Sequence, residues 1–417
     1  MKVVIQRYDD NQACLAETQS WTIAPSNLTA TIYYWEINNG NVVRLNPGDT
    51  APENFIQKPP GISCVACHSV SADGSTIAAS FHGGYSPWGT IDAASGVVHH
   101  NSELSSGFQA ISPDGQHVIW GHWNDGGFGS DGKLTLSQFN NNNVLGELVP
   151  PPGNGVPGHQ AWSNDGNQIA FSMRTDGNGL DFTQSTLWLS DVDLMTFTFS
   201  NAGMLIDKDP MLPTTTFPTY SPDSQWVAFE RASQARSRGG LGELWMVDVD
   251  GQGPVRLARA NGDGAITPDQ ALTNFEPTFL PVAVGGYFWL VFGSERMYGN
   301  TLTDTNPNSR FKQLWVTAID ANPQPGQDHS HPAFWLPGQE LNNQNMRGSW
   351  ALAVCKEAGE SCEAGYDCCG GFCTGNPKTC NETNDGCSEL GDACDTAADC
   401  CLDVAECING FCSAILG

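Results

Sequence analysis

The sequence predicts an all-β fold, a β-propeller followed by a cysteine-rich C-terminal region. A turn of the Ser-x-Asp-Gly type recurs between apolar strands, at intervals typical of propeller blades. Of the 15 cysteines, all but three lie after residue 354, where aliphatic side chains are few. Helical periodicity is almost absent while Gly and Pro are frequent, which fits an all-β chain.

The first 29 residues form an N-terminal segment ahead of the predicted propeller. Met1 to Asp10 contain no apolar run of signal-peptide length and have the pattern of an edge strand. We therefore expect residues 1–29 to be the remainder of a trimmed region, with the export leader absent from this numbering. Two interpretations of Cys14 stay open, a free thiol or a bridge to another chain or to a missing segment.

Residues 30–354 contain the repeats that predict the propeller. Each repeat has an inner strand, a tight turn, a second apolar strand and then a further hairpin. The turns are Val70–Gly74, Ile111–Gly115, Trp162–Gly166 and Tyr220–Ser224, with a degenerate copy at Pro277–Pro281. The second strands are Thr76–Ala79, His117–Trp120, Gln168–Phe171, Trp226–Phe229 and Tyr287–Phe292. Further strands are predicted at Leu187–Asp191, Leu244–Asp248 and Leu314–Ala318.

Counting these repeats gives five blades between residues 69 and 337. A sixth blade is expected from the two ends of the propeller, where Met346–Ala353 would pair with Thr31–Ile37 and Asn41–Leu45. Such a closure removes the free sheet edge that would otherwise remain. The sequence therefore predicts a six-bladed propeller.

The repeats resemble those of TolB-type propellers, also described as WD-like repeats. An aromatic residue, the Ser-Pro-Asp-Gly turn and the Ile-Ala-Phe strand carry the resemblance, which covers roughly residues 69–320. It implies a six-bladed scaffold for binding, with no common catalytic residues. A subset of exported bacterial propellers is more similar still, because those chains join a CxxCH motif to the first repeat, as His68–Gly74 does here. They also carry stretches like Ser294–Asn300 and Pro332–Pro337.

Cys64, Cys67 and His68 have the spacing of a c-type haem attachment site. The two sulfurs would form thioethers with the porphyrin, and the imidazole would be the proximal ligand of the iron. The alternatives are a redox disulfide, or half of a zinc site beside an incidental histidine. Zinc is disfavoured because no second pair of ligands at similar spacing is present. The sequence thus predicts one covalent haem c.

The position of His68 just before the first turn predicts that the haem lies at the mouth of the central channel. We expect Met346 to be the sixth ligand of the iron, because it enters the inner strand of the neighbouring blade. The alternatives are His159, His82, His122, His331 or an open position. Arg296 is a candidate partner for a haem propionate, against the alternative of an ordinary salt bridge.

The cysteine-rich region divides into two modules, residues 355–381 and 387–417, with six cysteines each. Spacing alone does not choose among the fifteen possible pairings of six cysteines. The first copy, C-x6-C-x5-CC-x3-C-x6-C, resembles the inhibitor cystine knot, or knottin. The second copy departs from it after the doublet. The resemblance implies the disulfides Cys355–Cys369, Cys362–Cys373, Cys368–Cys380, Cys387–Cys401, Cys394–Cys407 and Cys400–Cys412.

Charge and composition limit the partners. The chain has 18 Lys and Arg against 45 Asp and Glu, a formal net charge of −27, which disfavours nucleic acid. No apolar run has the length of a transmembrane helix. The disulfide-rich tail and the haem motif both indicate export, so we expect a secreted, periplasmic or cell-surface protein. The usual hydrolase signatures are missing, so the sequence leaves enzymatic activity undecided and favours a non-enzyme.

These observations lead to two functional expectations. The first is an exported monohaem c-type cytochrome that transfers electrons to or from a redox partner protein. The second is an extracellular binding or assembly module, in which the propeller and knottin-like modules make contacts with other subunits and the haem is secondary.

Overall fold

The computed structural model of the protein describes most of the chain. The described residues are 2–3, 6–9, 12–15, 19–20, 28, 30–84, 86–123, 132–141, 143–236, 240–297, 311–352, 356, 358–368, 371–381, 386–401, 405–408 and 410–414. The side chains of Cys14 and His122, and both residues of the expected pair Cys355–Cys369, lie outside this part.

The N-terminal segment contains four short strands in two antiparallel pairs. In chain order they are β1 Lys2–Val3, β2 Gln6–Asp9, β3 Gln12–Leu15 and β4 Gln19–Ser20. Strand β1 pairs with β4, and β2 pairs with β3.

The first propeller sheets share one long strand. Strand β10 pairs with β9 through its first part and with β11 through its last part, so seven strands form one continuous sheet. These strands are β7 Val65–Val70, β8 Thr76–Phe81, β9 Pro87–Asp92, β10 Val98–Ile111, β11 His117–Trp123, β12 Leu134–Gln138 and β13 Val144–Leu148.

Three further sheets have four antiparallel strands each, in the order of the chain. The first contains β14 Val156–Trp162, β15 Gln168–Arg174, β16 Ser185–Asp193 and β17 Thr198–Ile206. The second contains β18 Thr214–Tyr220, β19 Trp226–Ala232, β20 Gly242–Asp248 and β21 Val255–Arg256. The third contains β22 Asn274–Phe279, β23 Tyr287–Ser294, β24 Gln313–Asp320 and β25 Phe334–Trp335.

The closing sheet combines both ends of the propeller. Strand β26, Asn345–Ala351, pairs with β5, Thr31–Glu36, which pairs in turn with β6, Asn41–Leu45. This is the pairing expected from the sequence. Its register places Trp350 opposite Ile32 and Met346 opposite Trp35.

The first strands of the sheets form a closed ring. In order, β7, β10, β14, β18, β22 and β26 each contact the next, and β26 contacts β7. Dividing the seven-stranded sheet at β10 gives six sheets in this ring among the described residues. The all-β propeller class is confirmed, and the ring encloses the central channel.

The recurring turns are stabilised by their aspartates. The Asp73 carboxylate accepts hydrogen bonds from the Ser75 backbone N–H at 3.0 Å and from the Ser71 hydroxyl at 2.5 Å. Gly74 has φ +72°, a left-handed conformation that glycine adopts at no steric cost. Asp114, Asp165 and Asp223 accept the same backbone bond in their own turns. This Asx-type turn explains why the local sequence repeats.

Helix is confined to short segments within the described residues. They are α1, Ala258–Asn261, and single 3₁₀ turns at Gln270–Leu272, Gly365–Asp367 and Ala397–Asp399. None of the helices in this part of the chain is long and apolar enough to cross a membrane.

The C-terminal region is held by disulfides and two small hairpins. The hairpins are β27 Phe372–Thr374 with β28 Thr379–Asn381, and β29 Ala405–Ile408 with β30 Phe411–Ala414. The disulfide-rich character of the region is therefore confirmed. Its described disulfides, all among those that the knottin resemblance implies, are Cys362–Cys373, Cys368–Cys380, Cys387–Cys401, Cys394–Cys407 and Cys400–Cys412.

The two modules contact each other and the propeller. Asp392 of the second module accepts the Cys373 N–H of the first at 3.0 Å, and it is 1% exposed. Ile408 belongs to a hydrophobic cluster with Phe279 and Ala283 of the propeller. The modules are therefore docked against the turn between β22 and β23.

Candidate functional site

Each inner strand of the propeller contains a β-bulge at a similar place, although the bulge in β10 lies one residue further from its turn than those in β7, β14 and β18. In a bulge two residues oppose one residue of the partner strand, so one side chain is turned out of the regular alternation. The register breaks between Ala66 and Ser69, Ser106 and Gln109, Gly158 and Ala161, Thr216 and Thr219, Phe275 and Thr278, and Met346 and Ser349.

The bulges place one residue from every inner strand in a common layer of the channel. This channel layer consists of Cys67, Phe108, His159, Phe217, Glu276 and Arg347. All of them except Phe108 have φ between 48° and 55°. The left-handed conformation costs a non-glycine residue roughly 1–2 kcal/mol, and such backbone strain is concentrated at functional sites.

Cys67 lies in this layer as a free, half-buried thiol. Its neighbours are Phe108, Leu180 and Phe217, and a Cβ on Gly84 would lie 3.3 Å from its sulfur. Burial raises the pKa of the Cys67 thiol to about 11. The thiol is therefore protonated, and it faces Gly84, where a Cβ would also lie 2.4 Å from Leu180 Cδ1.

Cys64 is also a free, half-buried thiol, located directly before β7. A Cβ on Gly40 would lie 3.6 Å from its sulfur, so a glycine faces this thiol too. Burial raises the pKa of Cys64, and the Trp35 indole and the Lys58 ammonium oppose the shift. Both cysteines of the motif are unpaired, whereas the other cysteines whose side chains are described form disulfides.

His68 does not face the channel mouth, which corrects the expectation from the sequence. The bulge turns Cys67 toward the channel, and His68 points into the wall between the first and the closing sheets. Its Nε2 lies 3.4 Å from the Tyr33 carbonyl oxygen, its Nδ1 is buried with no hydrogen-bond partner, and the residue is 0% exposed. Burial lowers its pKa to about 3, so the ring is neutral.

Arg347, rather than Met346, occupies the channel position beside the motif. Met346 precedes the bulge, is half-buried and pairs with Trp35. The Arg347 guanidinium stacks over the rings of Phe108 at 4.6 Å and Phe217 at 5.4 Å, measured to the ring centroids. Burial lowers the Arg347 pKa, and the nearby Cys67 and Glu276 oppose the shift.

His159 lies in the channel layer and is enclosed by aromatic rings. Its ring centroid is 4.4 Å from that of Phe108, 4.4 Å from that of Phe217 and 5.0 Å from that of Phe182. Nδ1 is hydrogen-bonded to the Thr216 hydroxyl, while Nε2 is buried without a partner. Burial holds its pKa well below the usual range.

His82 and His331, the next two alternative ligands, lie in different parts of the propeller. His82 is exposed and adjacent to the motif, since its N–H donates to the Cys64 carbonyl at 2.7 Å and its Nδ1 lies 3.4 Å from the Ser63 hydroxyl. His331 is bonded to Asp320 at 2.7 Å, beside the third strand of its sheet. Of the two, only His82 touches the motif.

Arg296 is bonded to residues of α1 and of the adjacent sheet, which argues against the expected role with a haem propionate. Its guanidinium donates to the Ala260 carbonyl at 2.8 Å and to the Ser294 hydroxyl at 3.0 Å, and it also bonds to Asn274. The side chain is 4% exposed, and burial lowers its pKa to about 9. These bonds occupy donors that a propionate would need.

The acidic member of the channel layer is already paired. Glu276 Oε1 lies 3.2 Å from Lys312 Nζ, and Oε2 accepts the Arg347 backbone N–H at 2.9 Å. Glu230 Oε2 accepts the Glu276 N–H at 2.8 Å. All these bonds lie in the protein interior.

Sequence reasoning missed Arg347 and Glu276. A signal existed in part, because Cys67, Phe108, His159 and Phe217 each lie six residues before the Asp of the following turn. The last two sheets lack that turn sequence, so counting back six residues from an Asp does not identify Glu276 and Arg347.

Comparison with known proteins finds similar solved structures, each at low sequence identity. No family model matches the chain, and no curated protein matches its sequence. Similar solved structures include a chain of a nidogen/laminin complex, with 11% identity, a TM-score of 0.47 and coverage of 78% of this chain and 100% of that chain.

Two solved structures described as TolB are also similar. TolB from Acinetobacter baumannii has 13% identity and a TM-score of 0.45, with coverage of 77% of this chain and 66% of that chain. A putative TolB from Agrobacterium tumefaciens has 17% identity and a TM-score of 0.39, covering 78% and 93%. At identities this low, the functions of these proteins say nothing about the function of this chain.

Proposed function

We propose that the protein is an exported c-type haem protein that transfers single electrons. The observation that carries the proposal is the pair of unbonded thiols, Cys64 and Cys67, next to the neutral imidazole of His68. In an exported chain, two cysteines at this spacing would be expected to oxidise to a disulfide unless another reaction consumes them.

The residues of the motif fit the donor set that haem c requires. Each thiol would add across a porphyrin vinyl group, the sulfur bonding to one carbon and the hydrogen going to the other. A ring nitrogen of His68 would bind the iron, and the buried Nδ1 that has no partner supports a missing bond at this ring. When bound, the haem supplies a one-electron redox couple.

The two sulfurs lie in closely packed surroundings of low polarity. Gly40 and Gly84 face the two sulfurs, and Leu180 and Phe108 cover the Cys67 side. Restricting solvent around a haem is one way in which a protein sets its potential. His82, exposed and beside Cys64, is the candidate that local geometry favours for a second axial ligand. The acidic surface would suit a basic redox partner.

The proposal is tested on the full chain, exported from a host that attaches haem c. We expect one haem to remain bound after denaturation, measured by intact mass and by the pyridine haemochrome spectrum. Cys67→Ser should leave at most one thioether, and His68→Ala should change the axial ligation of the iron. His99→Ala is the matched control, because its ring is exposed.

A wild-type chain that carries no haem and has a Cys64–Cys67 disulfide would refute the proposal. That result would leave the second expectation, a binding or assembly module, and would make the motif a dithiol centre.

A further inference from the structure

The loop between β15 and β16 crosses the channel at the end opposite the Asp turns. We call this segment, residues 175–184, the lid loop. Its Leu180 packs in one hydrophobic cluster with three members of the channel layer, Cys67, Phe108 and Phe217. The ring centroid of Phe182 lies 5.0 Å from that of His159. The lid loop therefore contacts members of four inner strands, β7, β10, β14 and β18.

Leu180 fills the space beside the Cys67 sulfur. The side chain belongs to a loop, yet the residue is only 1% exposed. A Cβ on Gly84 would lie 2.4 Å from Leu180 Cδ1 and 3.3 Å from Cys67 Sγ, so both atoms border the same position. A Cβ on Gly107 would lie 2.7 Å from Leu180 Cδ2. A bulky group bonded to the sulfur on this side would require Leu180 to move.

The base of the lid loop is closed independently of its tip. Asp176 Oδ1 accepts the backbone N–H groups of Thr183 and Gln184, both at 3.0 Å, and Oδ2 accepts the Thr183 hydroxyl at 2.5 Å. Gly177 follows directly and has φ +64°, a conformation that suits glycine. Hinges of moving loops are a few such positions at the ends of an element. The tip can therefore swing without opening the ladder between β15 and β16.

The tip is tied to the neighbouring sheet by contacts near the surface. Arg236, in the connection from β19 to β20, donates from Nε to Asp181 Oδ1 at 2.9 Å and from Nη2 to Oδ2 at 2.8 Å. The Ala235 N–H donates to the Phe182 carbonyl oxygen at 2.9 Å. The Arg236 and Asp181 side chains are 35% and 50% exposed, so salt screens this ion pair. Such a contact holds the tip and is readily broken.

We propose that the lid loop is a movable lid over Cys67, with Leu180 as its plug and the Arg236–Asp181 ion pair as its latch. The closed lid keeps solvent and reagents from the thiol, and the open lid admits them. The lid itself rests on the contacts of the loop. Only its role, to cover or release a haem at Cys67, rests on the proposed function.

The proposal is tested on the full chain, made in a host that does not attach haem c. The parent chain carries Cys64→Ser, so that no disulfide forms within the motif. The rate at which iodoacetamide alkylates Cys67 is followed by peptide-resolved mass spectrometry. Leu180→Ala should raise this rate about tenfold or more, because it removes the plug. Asp181→Asn should raise it about two- to fivefold, because it removes the charge of the latch.

Salt and two matched controls separate lid opening from general loosening. Added salt should speed alkylation in the parent chain and have little effect in Asp181→Asn, where the ion pair is already absent. Glu147→Gln breaks a comparably exposed ion pair with Lys133 in another sheet and should leave the rate unchanged. A second parent chain with Cys67→Ser reports on Cys64, whose alkylation Asp181→Asn should leave unchanged.

A rate in Asp181→Asn equal to that of the parent chain would overturn the proposal, even if Leu180→Ala reacts faster, because the cover would then be static packing. Equal acceleration at Cys64 would also overturn it. Asp181→Asn decides the matter alone if Leu180→Ala does not fold. A wild-type chain that carries no haem would refute the proposed function and leave these rates, measured without haem, unaffected.

Discussion

Acid should destabilise the propeller through His159. In the folded chain its ring is 2% exposed and its pKa lies well below the ordinary value, mainly because of burial. In the unfolded chain the ring is hydrated and titrates near its usual pKa of about 6.5. Below that pH the unfolded state binds a proton that the folded state does not, so the free energy of unfolding falls as the pH falls.

The size of the effect follows from how far the pH lies below the unfolded pKa of His159 while it stays above the folded one. Each pH unit between the two pKa values is worth about 1.4 kcal/mol per group. At about pH 5, roughly 1.5 units below the unfolded pKa, His159 should have removed about 2 kcal/mol of stability. Above the unfolded pKa the ring is neutral in both states and contributes no pH dependence.

Urea unfolding at neutral and acidic pH measures this loss. His159→Gln keeps a side chain that can bond to Thr216 but removes the titrating ring, so its stability should fall about 2 kcal/mol less on acidification than that of the wild type. His99→Gln controls for the loss of an imidazole at the surface. Carboxylates titrate alike in all three chains and cancel in the comparison. Parallel pH profiles for the wild type and His159→Gln would refute the reasoning.

Four further substitutions test the architecture. Gly74→Ala would place a Cβ 2.2 Å from the Leu352 carbonyl oxygen at a φ of +72°, and we expect a loss of about 2–4 kcal/mol in urea unfolding. Gly153→Ala, at φ +88° with nothing within 4 Å, should lose only about 1 kcal/mol; equal losses would contradict the clash. Ile408→Ala should loosen the C-terminal modules by about 2–4 kcal/mol, seen as faster hydrogen exchange there and not in the propeller; unchanged exchange would mean that the contact is unimportant. Asp392→Ala should cost about 1–3 kcal/mol and make both modules protease-sensitive together, whereas cleavage of one alone would argue against their coupling.

Local features of this fold could be predicted from the sequence. The turn at Asp73 is specified by side chains within two residues of it, so its repetition along the chain indicated the sheets. The pairing of β26 with β5 followed from the need to close the ring, and the structure has it. Hydrogen bonds within the turn specify the first feature, and backbone pairing that closes the ring specifies the second.

The contents of the channel could not be predicted in the same way. The bulge at Cys67 determines that Cys67, and not His68, faces the channel. No residue type in this stretch of the sequence predicts the bulge. Arg347 lies near enough to Cys67 to affect its electrostatics only because the two ends of the propeller pair with each other. Arg296 looked available in the sequence because its acceptors, Ala260 and Asn274, come from other elements of the chain.

The closing strand has a consequence for the order of events during biosynthesis. Strands β5 and β6 leave the ribosome early, but their partner β26 follows nearly the whole propeller. Pairings between such distant segments form late, because the intervening chain must be ordered first.

Until β26 pairs with β5, the wall around His68 is incomplete, because β5 carries Tyr33 and still lacks its neighbouring strand. An enzyme that modifies Cys64 and Cys67 would therefore meet an open, extended segment in the newly made chain. After closure both cysteines are half-buried and His68 is fully buried. Modification of Cys64 and Cys67 would therefore have to precede ring closure, and slower closure would lengthen the time available for it.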